Sequence, residues 1–566
     1  MSGQPGLTSR LRAGTDPTMP SVAETIAETL VLQGTSHVFC VPGESYLAVL
    51  DALHGVQNRI ALITCRHEAA AANMAEAYGK LNGRPGVAMV TRGPGATHAS
   101  IGVHTAFQDS TPMLLFVGDV GTDMIGREAF QEVDYRRMFG ALAKGVFVLD
   151  RADRAHEIVA SAYALSLSGR PGPVVVALPE DVLNHEAPPA VAARIEPPQA
   201  SPDASAIAVL ANMLDAAEQP LLWLGGPGWT ADDVAAGQGF AESAGLPVIT
   251  SWRRKDRFDN TPPSYAGELG LGSNPKLVER VNSADLIIAL GTRLGEVASQ
   301  GYTVPAVPTP AQSLVHIHPD ADTLGRVRRP ALAIQSSIRL ACAALGELGF
   351  AVDGTRWADW TRAARGDYEA WVQPTSVVNG VNMAAVIGHL DAVFGADAIY
   401  CNGAGNFASW LHRFHQHSRI GTQLAPTSGA MGYGVPAGIA AKLLQPEREV
   451  IVLAGDGDFL MSGNELITAA RYGANVIFIV ADNGQYGTIR MHQARDFPGR
   501  QSGTALANPD FAAFARSFGC HGETVERDED FPAALARARE SGVPALICVK
   551  TDPREISPGR RLGNGV

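Results

Sequence analysis

Unbroken apolar runs rich in Val, Ile and Leu recur along the chain, with helix-length segments of mixed polarity between them. In the first third they are IALIT (60–64), GVAMVT (86–91), PMLLFVG (112–118) and PVVVALP (173–179). The middle carries PLLWLGG (220–226), LPVITS (246–251), DLIIALG (285–291) and SLVHIH (313–318). AIYCN (398–402), EVIVLA (449–454), NVIFIVA (475–481) and PALICVK (544–550) follow. Runs that are apolar throughout, rather than at alternate positions, are strands buried on both faces, and strands that alternate with helices build parallel sheets covered on both sides. The fold class is therefore α/β, with three doubly wound parallel-sheet domains. Two stretches interrupt the alternation, the Pro- and Ala-rich segment 186–205 and the polar segment 353–375, and both are expected to be linkers. This sets domains at 20–185, 206–352 and 376–566, preceded by a flexible tail, 1–19, rich in Gly, Ser, Thr and Pro.

One βαβ unit carries the chemistry. The strands 449–454 and 475–481 flank a helical segment, 463–472. A right-handed crossover brings the second strand back parallel to the first, so Asp456 and Asn483, each just past a strand end, converge on one sheet edge. A carboxylate and an amide carbonyl there suit a hard octahedral cation such as Mg²⁺ and leave room for phosphate oxygens. Gly455 and Gly457 let the backbone approach, and the N–H groups that follow face an anion. The sequence thus predicts a metal-diphosphate clamp in the third domain.

Composition narrows the partners. A chain of 566 residues exceeds one core and fits three or four domains. Its 45 basic residues against 57 acidic ones, a net charge of −12, leave no cationic excess for nucleic acid. No apolar run is long enough to cross a membrane, and the first residues lack the apolar centre of a secretory signal. Cys40, Cys65, Cys342, Cys401, Cys520 and Cys548 are scattered through mainly apolar runs with no CxxC, as reduced core thiols would be. These features point to a cytoplasmic protein with small-molecule or protein partners.

Between Gly457 and Asp482 lie 24 residues. That spacing resembles the thiamin diphosphate (ThDP) motif, Gly-Asp-Gly followed by Asn-Asn, with Asp482 in place of the first Asn. The resemblance implies that Asp456, Asn483 and the carbonyl of Gln485 hold Mg²⁺, with Gly455, Gly457, Asp458 and Tyr486 also against the cofactor. The segment TSGAMGYGVPAG (427–438) is similar to the one in which a bulky residue, here Met431, wedges beneath the cofactor, while Gly429 and Met431 contact its pyrimidine through backbone groups. NGAGNF (402–407) resembles the diphosphate loop, with Gly405 and Asn406 as contacts. Read alone, Glu68 is a carboxylate favoured by the dipole of a helix start. In RHEAAAANMAEAYGK it resembles the family's activating acid, a Glu of raised pKa that shares a proton with the pyrimidine nitrogen and turns the neighbouring amine into a base. VTRGPGATH (90–98) resembles the Gly-Pro-Gly loop beside it, and His67 and His98 are candidates for proton transfer. The three domains become pyrimidine-binding, central and diphosphate-binding. Because acid and clamp lie in different domains, the resemblance also implies a homodimer or homotetramer with active sites at the subunit interface.

From about residue 20 to 555 the chain resembles acetolactate synthase large subunits. That implies decarboxylation of a 2-oxo acid and carboligation of the fragment to a second carbonyl, as in pyruvate to 2-acetolactate, with Gln131 of the Phe-Gln-Glu triplet near the reacting carbon. Two positions depart from the pattern: Glu180 stands where the synthases carry Lys, and His492 where they carry a pocket Trp. Tyr486-Gly487 and Arg490 are similar instead to decarboxylases of aromatic 2-oxo acids such as benzoylformate, so a decarboxylase or a carbon–carbon lyase is the alternative. GTRLG (291–295) is similar to a loop that holds FAD, which is compatible with the chain but not favoured. A silent partner subunit is disfavoured by the presence of Glu68, Asp456 and Asn483.

Overall fold

The computed structural model describes residues 19–191, 193–349 and 351–563. The expected tail, save Met19, lies outside them.

Three six-stranded sheets, all parallel, follow one another along the chain. The first holds β1 (His37–Cys40), β2 (Ala61–Thr64), β3 (Gly86–Val90), β4 (Met113–Asp119), β5 (Gly145–Val148) and β6 (Pro173–Pro179), in the order 2-1-3-4-6-5. The second holds β7 (Pro220–Leu224), β8 (Val248–Ser251), β9 (Tyr265–Leu269), β10 (Leu286–Leu290), β11 (Ser313–His318) and β12 (Leu332–Gln335), in the order 12-11-10-7-8-9. The third holds β13 (Ile399–Asn402), β14 (Gln423–Leu424), β15 (Val450–Gly455), β16 (Ile477–Asp482), β17 (His521–Val525) and β18 (Ala545–Lys550). Its order, 14-13-15-16-18-17, repeats that of the first sheet strand for strand. The central strands β4, β6, β15 and β16 are buried at every residue, which is why they read as continuous apolar runs.

In the third sheet the chain leaves β13 towards β14 on one side and returns to β15 on the other. That reversal is a topological switch point, and the loops after β13 and β15 flank the crevice it opens at the carboxyl edge.

The first and third domains share one apolar core. Its seam is the helix Glu68–Asn82, almost all Ala in its first half, packed on Gly434–Leu444, itself rich in Ala and Gly. Inside the first domain, glycines let the same helix Glu68–Asn82 approach its other neighbours: a Cβ on Gly86 would lie 1.8 Å from the Ala75 carbonyl, and one on Gly102 2.4 Å from the Ala72 Cβ.

The segment 353–375, expected as a linker, instead contains the helix Ala358–Trp371. Its charges hid an apolar stripe: Trp357, Trp360, Ala364 and Tyr368 recur at helical spacing and pack against the second domain. Trp357 and Trp360 donate their indole N–H groups to the carbonyls of Ala217 (3.1 Å) and Pro220 (2.9 Å). By contrast, the described residues between 187 and 203 form no helix or strand.

Candidate active site

At the carboxyl edge of the third sheet Asp456 follows β15 directly and is 3% exposed. One of its oxygens accepts from the Gly457 N–H (2.8 Å); the other accepts from the Gly484 N–H and the Asn508 amide (2.8 Å each). Burial pushes this carboxyl above the usual range, which the Asn508 and backbone donors oppose. The side-chain oxygen of Asn483 accepts from the Gln485 N–H at 3.1 Å, and the Gln485 side chain is tied to the Pro553 carbonyl. The loop is thereby fixed without protein groups occupying every lone pair of these oxygens.

Every residue expected to touch cofactor or metal from the third domain lines a single cavity of about 240 Å³, from Gly405 and Asn406 through Gly429 and Met431 to Asp456, Asn483 and Tyr486. Backbone approach shapes it. A Cβ on Gly457 would stand 2.5 Å from the Tyr486 ring, one on Gly455 2.7 Å from the Phe407 ring, and one on Gly403 2.0 Å from an Asp458 oxygen. Asp458 itself accepts from the N–H groups of Gly432 (2.8 Å) and Ala404 (3.1 Å), so one buried carboxyl fixes both flanking loops; burial pushes it up to about 7.

Asp482, the departure from the Asn-Asn pair, does not line this cavity. It forms an ion pair with Lys550, its register neighbour on β18, and accepts from the same Asn508 amide (2.8 Å) that holds Asp456. Asn508 escaped the sequence reading because no spacing ties it to the motif. Only the strand ends bring it near.

In the first domain Glu68 opens its helix. The imidazole of the capping residue His67 accepts from the Ala69 N–H at 3.1 Å, and His98 Nδ1 lies 2.9 Å from a Glu68 oxygen. The His67 and His98 rings stack at 4.6 Å. Glu465 of the third domain, also unforeseen, accepts from the N–H groups of Arg66 and His67 (2.9 Å each) and so holds the turn that presents Glu68. Within one chain Glu68 does not line the Asp456 cavity. Gln131 sits with positive φ (64°) against Gly93 of the Gly-Pro-Gly loop, and its side-chain carbonyl is buried without a partner. The Gly93 N–H donates to the Tyr135 hydroxyl at 3.0 Å. Glu180, standing where the resemblance expects a cation, pairs with Arg92 at 2.9 Å.

The three domains meet at Asp109, whose side chain is fully buried. It pairs with Lys80 (2.6 Å) and with Arg254 of the second domain (3.2 Å), and accepts from the N–H (2.8 Å) and hydroxyl of Thr427 of the third. Burial alone would raise this carboxyl; the two cations and Thr427 outweigh it and hold it at about 2. Asp109 also borders a cavity of about 330 Å³ that the 291–295 loop helps to line.

A switch-point crevice with clustered oxygen donors and a close-approach glycine cradle, beside a second sheet of the same strand order with Glu68 past the end of β2, defines an enzyme of the thiamine pyrophosphate class, thiamine pyrophosphate being ThDP under its other name. The chain belongs to that family. Residues 20–138, 207–345 and 403–549 match its N-terminal TPP binding domain, its central domain and its C-terminal TPP binding domain. Within the family it stands with acetolactate synthase-like enzymes. It is 31% identical to the acetolactate synthase large subunit of Corynebacterium glutamicum over 92% of this chain and 84% of the relative. It is 30% identical to that of Parasynechococcus marenigrum (96% and 90%) and 29% identical to the isozyme 2 large subunit of Escherichia coli (94% and 96%).

Proposed function

We propose that this ThDP-dependent enzyme requires Mg²⁺, decarboxylates a 2-oxo acid and joins the fragment to a second carbonyl compound. The observation that carries the reading is the convergence of Asp456, Asn483, Gln485, Met431 and the 405–406 loop on one cavity. The oxygen donors of Asp456, Asn483 and the Gln485 backbone suit Mg²⁺, and the Gly457 cradle admits a diphosphate that bridges to it. When bound, ThDP supplies an electron sink for the carboxylate carbon's bond. The chain does the rest. Met431 supports the cofactor from below, Glu68 holds a proton at the pyrimidine nitrogen, and Gln131 offers its unpartnered carbonyl beside the Gly-Pro-Gly loop. The 291–295 loop, similar to one that holds FAD, lines the cavity beside Asp109, and the reaction proposed requires no flavin.

Because Glu68 does not line the clamp cavity of its own chain, we place the working site between two copies, in a homodimer or a homotetramer. Exposed apolar side chains flank both halves: Met124, Ile125 and Phe130 on the first domain, Leu460 and Met461 beside the clamp. Co-expressing Glu68→Gln with Asp456→Ala tests this. Subunits that share sites form one intact site per mixed dimer and recover up to about half of the activity; sites confined to one chain recover none.

Incubation with pyruvate, ThDP and Mg²⁺ tests the reaction. Acetolactate supports carboligation, whereas an aldehyde released from an aromatic 2-oxo acid favours the decarboxylase reading that Tyr486-Gly487 and Arg490 support. No helix among the described residues is long and apolar enough to cross a membrane, and all six cysteines are free and buried. We assign the protein to the cytoplasm on those thiols.

A further inference from the structure

A cavity of about 510 Å³ adjoins the clamp cavity and shares with it Ala404, Gly405, Asn406, Gly429 and Thr488. Its other walls come from the second domain near 252–275, from the helices Ala408–Phe414 and Gly487–Asp496, and from the carboxyl-terminal hairpin near Arg560. Its charge contrasts with that of the chain. Arg253, Lys255, Arg413 and Arg560 line it, and among the described residues none of the four forms an ion pair. Arg253 donates to the carbonyls of Pro426 and Gly403, Lys255 to those of His412 and His415, and Arg413 to those of Trp371 and Pro558. A fifth cation in the wall, Arg495, is matched by Asp496 at 2.7 Å. Glu268 is the one lining carboxylate.

Three buried side-chain nitrogens here make no hydrogen bond. Arg253, 3% exposed, leaves its Nε unsatisfied, and neither His412 ring nitrogen makes a hydrogen bond, Nδ1 standing 3.4 Å from Glu268. Four cations facing one carboxylate, in a chain of net charge −12, focus a positive potential on the space beside the reacting centre.

A cation placed on the carboxylate that departs as carbon dioxide would stabilise the ground state more than the transition state and slow the reaction. Cations act without that penalty on an anionic group that stays charged throughout. We propose that this cavity receives a second carboxylate, at the far end of a 2-oxo acid substrate, so that the preferred donor is a 2-oxo dicarboxylate. This rests on the reading of the adjoining cavity as the ThDP site. His492, in the same wall, fits that assignment, since an imidazole tolerates an anion where an indole face would not.

The test uses the full chain with ThDP and Mg²⁺ and two acids that differ only at the far end, 2-oxopentanoate and 2-oxoglutarate. Carbon dioxide release should give a kcat/KM at least about tenfold higher for the dicarboxylate, and the ratio should fall to within about threefold in Arg560→Ala and in Arg413→Gln. Arg560 is exposed, so its loss leaves the core intact. Equal or better turnover of 2-oxopentanoate overturns the proposal. Calorimetry with glutarate and pentanoate reads the cavity without turnover. If neither oxo acid is decarboxylated but glutarate binds selectively and Arg560→Ala removes that binding, the reaction reading fails while the cavity assignment stands. If glutarate binds no better than pentanoate, or if Arg560→Ala weakens ThDP as much as it weakens glutarate, the cations do not read a substrate carboxylate and the proposal is wrong.

Discussion

Asp109→Ala perturbs a side chain that bonds directly to groups of all three domains. In the native protein its carboxylate answers Lys80 at 2.6 Å and Arg254 at 3.2 Å and holds both polar groups of Thr427. Lys80 keeps Glu76 at 3.0 Å after the substitution, but Arg254, 7% exposed at its side chain, loses the one ion pair it forms among the described residues. Removing one partner of a buried pair costs about 3–5 kcal/mol, since the charge left behind is desolvated and unmatched. Acid titration gives an independent estimate. The carboxyl moves from 3.8 unfolded to about 2 folded, so it contributes about 2 kcal/mol above pH 4, lost as pH falls towards 2. Urea unfolding followed by tryptophan fluorescence from pH 7 to pH 2 measures both. The variant should be weaker by about 3–5 kcal/mol at neutral pH, and the gap should narrow by about 2 kcal/mol in acid. ThDP affinity should fall as well, because Thr427 begins the segment that carries Gly429 and Met431. A neutral-pH loss below about 1 kcal/mol, or parallel acid limbs, would refute the claim that Asp109 ties the domains together.

Asp456→Ala removes the anionic oxygen donor of the clamp, and calorimetry should show Mg²⁺-dependent ThDP affinity reduced by about a hundredfold or more; unchanged affinity would move the metal elsewhere. Gly403→Ala drives a Cβ to 2.0 Å from the Asp458 carboxylate, and the overpacking should cost about 1–3 kcal/mol and weaken ThDP binding while circular dichroism stays native. Lys550→Met leaves the Asp482 carboxylate unanswered beside Asp456 and should destabilise the cofactor-free protein by about 1 kcal/mol, a modest cost because Lys550 is 45% exposed at its side chain. Adding Asp482→Asn should restore that stability, and a double variant no better than Lys550→Met would show that the pair does not act as one.

What the sequence disclosed followed from burial. Strands apolar at every residue, such as β4, β15 and β16, announce themselves because both faces are covered, and with them came the third sheet's carboxyl edge and the residues around Asp456. Short or polar strands did not: β14 has two residues, β12 is half exposed, and β17 (HGETV) alternates with charge. The helix Ala358–Trp371 was hidden by its solvent face for the same reason. Glu465, Asn508 and Tyr135 were illegible because each acts across strand ends or across domains, on backbone N–H groups or beside a carboxylate that local pattern cannot place. The departures from the family pattern make the same point in reverse. In the sequence Asp482 departs from the first Asn of the pair without touching the ligand position Asn483, and Glu180 replaces a cation. Folded, each has its counter-charge, Lys550 one strand away and Arg92 at the next loop. The altered residues therefore leave the local charge near balance and the clamp oxygens free for metal. Among the described residues the cations Arg253, Lys255, Arg413 and Arg560 form no ion pair, and on the proposal above their balance comes from the far carboxylate of the substrate.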